Sequence, residues 1–128
     1  MKLANVHHIA IICSDYERSK DFYVRILGLN IVNEVFRKER QSYKLDLALN
    51  DTYVIELFSF ENPPKRPTTP EATGLRHLAF SVEDMPEAIS HLEDYGVEVE
   101  EVRIDPHTGK QFTFFKDPDG LPIELYEM

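Results

Sequence analysis

The sequence repeats itself at an interval of 68 or 69 residues, and this repeat limits the folds that the chain can adopt. His8 and His77 are 69 residues apart. Glu56 and Glu124 are 68 residues apart. The segment HHIAI in the first half is matched by RHLAF in the second, and VIELF is matched by PIELY. Such a repeat predicts two copies of one supersecondary unit.

The first copy predicts a strand, a helix and three more strands. The helix spans residues 14–29, where Ser14 or Asp15 caps the start and Gly28 ends the helix. Apolar side chains three and four residues apart in this segment indicate one buried helical face. Runs of β-branched or alternating apolar residues predict strands at residues 6–13, 30–36, 43–49 and 53–60.

The second copy repeats the order of the first. A helix is predicted over residues 83–97, where Asp84 caps the start, Pro86 lies in the first turn and Gly96 ends the helix. Strands are predicted at residues 76–82, 97–104, 111–117 and 121–127. The predicted fold class is therefore α+β, with two βαβββ modules in tandem.

A proline-rich segment joins the two copies. Residues 61–74 contain four prolines, and neither a helix interior nor a central strand tolerates that density. We expect an irregular linker that runs over the surface. The predicted organisation is a single domain over residues 1–128, with module 1 at 1–60, the linker at 61–74 and module 2 at 75–128.

The charge balance and the apolar pattern exclude several classes of partner. The chain has 14 Lys and Arg against 23 Asp and Glu, a net charge of -9. This balance argues against nucleic acid and against anionic membranes. No apolar run approaches the roughly 18 residues of a membrane span, and the first residues make a poor signal peptide. A single cysteine, Cys13, fits a reducing compartment, so we expect a cytoplasmic protein.

The repeat also identifies four candidate metal ligands. Glu56 and Glu124 each interrupt an apolar strand, where an ionised carboxylate is costly unless it is paired or bound to a metal. His8 and His77 stand near the start of the first strand of each copy. If the first and last strands of a module are neighbours, each histidine faces its glutamate. Two imidazoles and two carboxylates suit Zn, Ni, Co, Mn or Fe(II), and open positions favour Lewis-acid chemistry.

A structural interpretation competes with the metal site. A lone histidine beside a strand is more often structural, and a glutamate in an apolar run can pair with a buried Arg or Lys. The recurrence of both residue types at corresponding positions favours the metal. The other histidines stay outside the set: His7 is predicted on the face opposite His8, in packing or in support of it, His91 on a helix and His107 in a turn. Cys13 is predicted to be a small core residue.

The two modules and their motifs resemble the vicinal oxygen chelate superfamily, which includes glyoxalase I, bleomycin resistance proteins and dioxygenases. HHIAI, FYVRILGL, GLRHLAFSV and FFKDPDGLPIELYE carry the resemblance over nearly the whole chain. DLALN, YVIELFSF and the proline-rich linker are most similar to YaeR-type glyoxalase-like proteins. The resemblance implies that each module curls into a half-barrel around a metal site, assembled as a homodimer. The positions that match the metal ligands of bacterial glyoxalase I are His8, Glu56, His77 and Glu124.

The resemblance also implies an activity. It is that of a metal-dependent carbon–sulfur lyase or isomerase of the glyoxalase I type, also called lactoylglutathione lyase. One divalent ion per site holds a small α-oxo, α-hydroxy or thiol-adduct substrate, such as a glutathione adduct. Proton transfer then passes through a metal-bound enediolate. Carried over by position, Glu124 is the first choice for the base and Glu56 the second.

Other functions of the same superfamily stay open. They are a metallo-thiol transferase, an Fe(II) dioxygenase, a metal-free ligand-binding module of the bleomycin-resistance kind and a regulatory metal sensor. The linker also departs from glyoxalase I, and no equivalents of the residues that hold the glutathione carboxylates are found. Four cations are candidates to contact an anion, although ordinary surface charge is the favoured interpretation of each: Arg37, Arg40, Arg76 and Lys110.

Overall fold

A computed structural model describes all 128 residues of the chain, which divides into two compact units, Met1–Pro64 and Lys65–Met128. Each unit contains one four-stranded mixed sheet. Within each sheet the first strand lies beside the last, followed by the third and the second. The prediction of an α+β chain with two βαβββ modules is confirmed.

The first unit follows the predicted order of elements. Its elements are β1 (Ile9–Cys13), α1 (Tyr16–Asp21), a π-helical turn (Phe22–Ile26), β2 (Asn30–Arg37), a 3-10 turn (Lys38–Arg40), β3 (Ser42–Leu49) and β4 (Thr52–Ser59). β1 pairs with β4 in parallel, whereas β3 pairs antiparallel with both β2 and β4. Asp15, rather than Ser14, caps α1, because the Asp15 carboxylate accepts a hydrogen bond from the Arg18 N–H.

The second unit repeats this arrangement. Its elements are β5 (Leu78–Val82), α2 (Met85–Asp94), β6 (Arg103–Ile104), β7 (Gln111–Lys116) and β8 (Pro122–Glu127). β5 pairs with β8 in parallel, and β7 pairs antiparallel with β6 and β8. Asp84 caps α2 as predicted, and Gly96, at a φ of +76°, follows the end of the helix.

The strand predicted over residues 97–104 is mostly wrong. Only β6, its last two residues, pairs with β7. Upstream, Glu100 is held to β7 by a backbone bond from its N–H to the Phe114 carbonyl and by the Thr113 hydroxyl, which donates to the Glu100 carbonyl. A side-chain hydroxyl thus takes the place of a ladder bond, so no regular strand forms. β1 and β5 also begin later than predicted, which leaves His8 and His77 just before them.

The core of each unit lies against one face of its sheet. Ile55 and Leu57 of β4 are buried with Leu45 and Leu47 of β3, and Tyr23 of the π-helical turn is also fully buried. In the second unit Ile123 and Leu125 are buried in the same way. Since strand side chains alternate, Glu56 and Glu124 lie on the opposite faces of their sheets. The expectation that these acids lie inside an apolar environment is therefore corrected: they interrupt apolar strands but do not face the core.

The proline-rich linker contains no helix or strand, as predicted. It is nonetheless fixed to the second unit. Arg66 Nη2 donates to the carbonyls of Leu75, at 2.6 Å, and Arg76, at 3.1 Å. The Thr68 hydroxyl donates to the Gly120 carbonyl at 3.0 Å. None of the helices in the chain has the length and apolar character needed to span a bilayer.

The cap of α2 gives a first test of the fold. The Asp84 carboxylate accepts a hydrogen bond of 2.9 Å from the Glu87 N–H. Asp84→Ala should lower the free energy of unfolding by about 1 kcal/mol, because an N–H of the first turn loses its acceptor. Chemical denaturation measures this change. The matched control, Asp94→Ala at the other end of α2, should leave stability unchanged or slightly raised. Equal losses in the two variants would contradict the cap.

Candidate metal centre

The parallel strand pairs place each candidate histidine beside its glutamate. Ala10 of β1 is opposite Glu56, and Ala79 of β5 is opposite Glu124. His8 and His77 precede these alanines by two residues, so the alternation of side chains directs them to the glutamate face. The distance between His8 Nε2 and Glu56 Oε2 is 3.8 Å. In the second unit, His77 Nε2 is 3.0 Å from Glu124 Oε2.

Both carboxylates are shielded but accessible. The side chain of Glu56 is 16% exposed and that of Glu124 is 14% exposed. The histidines are more open. Carboxylates that retain this little water need a partner, and the open face of the sheet leaves room for one. Each unit therefore offers an imidazole nitrogen and a carboxylate oxygen to a ligand that approaches from the face opposite the core.

The structure brings the four predicted ligands together as two pairs. No group of three or more His, Cys, Asp or Glu side chains that could hold a metal ion gathers in the chain. The convergence of all four ligands on one ion thus stays a prediction. The donor set itself fits a divalent ion, because imidazole and carboxylate suit the same borderline-to-hard metals.

His7 contacts His8, although the sequence predicts the two side chains on opposite faces. The Nδ1 atoms of the two rings are 2.8 Å apart, so one must donate and the other accept. If His8 is the donor, its Nε2 carries the lone pair that faces Glu56. Metal-ligating histidines commonly donate their second ring N–H in this way. The ring of Tyr53 stacks on His8 at a centroid distance of 5.4 Å and fixes the imidazole plane.

Glu56 has protein partners that the sequence did not reveal. The Tyr53 hydroxyl is 2.9 Å from Glu56 Oε2 and 3.0 Å from Asp46 Oδ1. Lys44 Nζ is 2.8 Å from Asp46 Oδ1 and 3.5 Å from Glu56 Oε2. Burial and the hydrogen bond to Glu56 raise the pKa of Tyr53, and the hydrogen bond to Asp46 raises the pKa of Lys44. Tyr53 therefore stays a donor, and Lys44 stays a cation.

Glu124 lies in a different environment. In the register of the sheets, Asp46 is opposite Glu56, but Phe114 is opposite Glu124. Phe114 contacts the His77 ring edge to face at 5.1 Å. His77 is the ion-pair partner of Glu124, and neither a lysine nor a tyrosine binds this carboxylate as they do Glu56. The two pairs thus share their geometry and differ in their surroundings.

One sequence signal could have found Lys44 and Asp46. They alternate with Leu45 and Leu47 in the segment YKLDLAL, so a strand that buries the leucines must place Lys44 and Asp46 on the glutamate face. The alternation of the leucines predicts only the core face of this strand, and Lys44 and Asp46 lie on the other face. Tyr53 could not be assigned in this way, because it lies three residues before Glu56 in β4, and strict alternation would place the two side chains on opposite faces.

The four cations proposed for anion contacts are mostly engaged elsewhere. Arg37 donates to the Ser42 hydroxyl and stacks on Phe58. Arg76 pairs with Glu71 at 2.7 Å. Lys110 donates to the carbonyl of the last residue, and Arg40 is exposed. His91 and His107 are exposed in the helix and turn where they were predicted, and Cys13 is buried.

Residues 5–125 match the family model of the Glyoxalase/Bleomycin resistance protein/Dioxygenase superfamily. The chain is 62% identical over 127 residues to YwkD of Bacillus subtilis (strain 168), covering 99% of each chain. It is also 62% identical over 125 residues to YaeR of Escherichia coli (strain K12), covering 98% of this chain and 97% of YaeR. Neither name states an activity.

Two further comparisons bear on fold and chemistry. The crystal structure of SMU.1112c, at 48% identity, superposes with a TM-score of 0.92 over 98% of this chain and all of that one. A lactoylglutathione lyase of Escherichia coli O157:H7 is 30% identical over 127 residues, which cover 94% of this chain and 90% of the lyase. The fold is thus shared closely, and the likeness to a protein of named activity is more distant.

Lys44 gives a test of the charge balance around Glu56. Lys44→Met removes the cation between two shielded carboxylates, so the metal-free protein should lose about 1–2 kcal/mol of unfolding free energy. Chemical denaturation in the presence of a chelator measures the loss. The control is Lys38→Met, which removes an exposed lysine from the 3-10 turn and should change stability little. Unchanged stability of Lys44→Met would mean that Lys44 does not compensate Asp46 and Glu56.

Proposed function

The chain belongs to the Glyoxalase/Bleomycin resistance protein/Dioxygenase superfamily, and from this premise we propose that it is a metal-dependent lyase or isomerase of the glyoxalase I type. One observation carries the proposal: the same His–Glu pair occurs at the same register in both modules. Core packing does not require this, because both pairs lie on the face opposite the core. A shared ligand explains why both pairs are present.

We propose that His8, Glu56, His77 and Glu124 hold one divalent ion, which is Ni, Zn, Co, Mn or Fe. The two pairs come either from one chain or from two chains of a homodimer. Exposed apolar side chains on the edge strand β2 support a second chain, since an edge of this kind is normally covered. They are Ile31, Val32, Val35 and Phe36. A cytoplasmic location fits the single cysteine and the acidic surface.

In the proposed reaction, a carboxylate moves a proton between adjacent carbons of a small α-oxo, α-hydroxy or thiol-adduct substrate. The bound ion supplies a Lewis acid that stabilises negative charge on the substrate oxygen. Glu124 takes the proton from one carbon and returns it to the next, so no oxidant or reductant is consumed. A carboxylate that binds the ion must loosen to act. Tyr53 and Lys44 hold Glu56 in place, whereas Glu124 has no such restraint, and this difference supports Glu124 as the base.

A metal-free ligand-binding module is the second candidate. Without a metal, the two carboxylates in the apolar strands would need other partners. Glu56 has such partners, because Tyr53 and Lys44 bind it. Glu124 forms an ion pair with His77 alone and is otherwise influenced by the charge of Arg76, so the second unit favours the metal more than the first does. A metallo-thiol transferase remains a variant of the metal-dependent proposal.

Glutamine variants test the proposed roles. Glu56→Gln and Glu124→Gln should both weaken metal binding, because an amide is a poorer ligand than a carboxylate. At saturating metal, Glu124→Gln should lose at least about a hundredfold in turnover, the usual contribution of a general base. Glu56→Gln should retain more activity. Turnover is measured with the hemithioacetal of methylglyoxal and glutathione, together with exchange of the substrate C–H proton into deuterated solvent, which NMR detects.

The control for this experiment is Glu98→Gln, which changes an exposed glutamate away from both pairs and should behave like the wild type. Equal turnover of Glu124→Gln and wild type at saturating metal would remove Glu124 as the base. If the wild type neither turns over the adduct nor exchanges its proton with any of the five metals, the glyoxalase-type assignment fails. Ligand binding to the chelator-treated protein would then favour the metal-free module.

A further inference from the structure

A cavity of about 490 Å³ opens beside His77 within the second unit. Residues 66–72 of the proline-rich linker form one wall, and Phe114 and Lys116 of β7 form part of another. The volume is within the range of small-molecule sites. Because His77 belongs to the proposed metal centre, a substrate held there could extend into this cavity.

The charge of the cavity contrasts with the charge of the unit around it. Residues 65–128 contain six Lys and Arg against fourteen Asp and Glu. Four of the six cations line the cavity, together with two carboxylates, Glu71 and Glu100. The four cations are Arg66, Arg76, Arg103 and Lys116. A strongly acidic unit that places most of its cations around one cavity is built to receive negative charge there.

Two of these cations already form ion pairs with the carboxylates of the lining. Arg76 pairs with Glu71 at 2.7 Å. Arg103 lies 4.0 Å from Glu100, and its guanidinium stacks on Phe112 at 4.9 Å from the ring centroid. Each carboxylate of the lining thus has an arginine partner of its own. The remaining two cations therefore set the net charge that the cavity offers.

Arg66 and Lys116 retain hydrogen-bond donors that no group of the protein uses. Arg66 uses Nη2 to hold the carbonyls of Leu75 and Arg76, whereas its Nη1 is not buried and makes no hydrogen bond within the protein. Lys116 is exposed and makes no ion pair. An oxyanion in the cavity would accept hydrogen bonds from both side chains.

We propose that this cavity binds an oxyanion, a carboxylate or phosphate group, at the far end of the substrate. This inference rests on the proposed function, because the reacting carbons of that substrate lie at His77 and Glu124. The linker is then a specificity element: its prolines limit its flexibility, and Arg66 fixes it in place as a wall. The substrate class is a small α-oxo or α-hydroxy compound that carries a negatively charged tail.

Binding of simple anions to the full-length protein tests the inference. Inorganic phosphate and succinate are titrated by calorimetry, with glycerol as a neutral control, and ¹H–¹⁵N NMR spectra locate the affected amides. Both the metal-loaded and the chelator-treated protein are used, so that coordination to the ion is separated from binding in the cavity. We expect saturable binding of phosphate or succinate in both states, with shifts in residues 66–72. The anion that binds more tightly identifies the tail as phosphate or carboxylate.

Variants test whether Arg66 and Lys116 bind the anion. Lys116→Met and Arg66→Met should each weaken anion binding about tenfold, the usual effect of losing a charge-assisted hydrogen bond. Lys116→Met leaves the linker contacts of Arg66 intact, so its effect does not depend on how the linker folds. Arg40→Met, which removes an exposed cation from the first unit, should bind like the wild type.

The outcomes separate this inference from the proposed function. Absence of saturable binding, or equal binding by Lys116→Met, Arg66→Met and wild type, would overturn the anion site. If anions bind as predicted but the protein holds no divalent ion, the anion site stands and the metal-dependent function fails. If the ion binds and proton transfer occurs without any anion binding, the function stands and the inference fails.

Discussion

The candidate site depends on one constraint, the parallel pairing of the first and last strands in each module. This pairing sets Ala10 beside Glu56 and Ala79 beside Glu124, and it thereby places an imidazole next to each carboxylate. A shift of one residue in either pair would move the glutamate to the core face, because strand side chains alternate. The buried residues that flank each glutamate, such as Ile55 and Leu57, hold the register against such a shift.

The two modules share the same strand order but differ in the residues that surround their carboxylates. In the first, Lys44, Asp46 and Tyr53 form a charged network that holds Glu56. In the second, Phe114 replaces Asp46 in the register, and a cationic cavity opens beside His77. In the proposed function, both modules hold the ion, and the second module also carries proton transfer and substrate recognition.

The sequence predicted much of this structure because its signals were local or repeated. Asp84 and Gly96 marked the limits of the second helix, and the repeat located all four candidate ligands. The errors have physical causes. The acids at Glu56 and Glu124 were placed in an apolar environment, because a linear pattern of apolar neighbours does not tell which face of the sheet meets the core. The sequence does not reveal contacts made across strands and from the linker, such as those of the Tyr53 hydroxyl with Asp46 and of the Thr68 hydroxyl with Gly120, because they depend on how distant segments pack.

The central claim is that both His–Glu pairs bind the same ion. Native mass spectrometry of untagged protein, reloaded with Zn or Ni, tests it through His8→Ala and His77→Ala. The account predicts one ion for every two His–Glu pairs in the wild type. It also predicts that either variant loses this ion, although the two histidines belong to different modules. Full metal content in one variant, or a separate ion retained by each module, would show that the pairs act independently and would contradict the account.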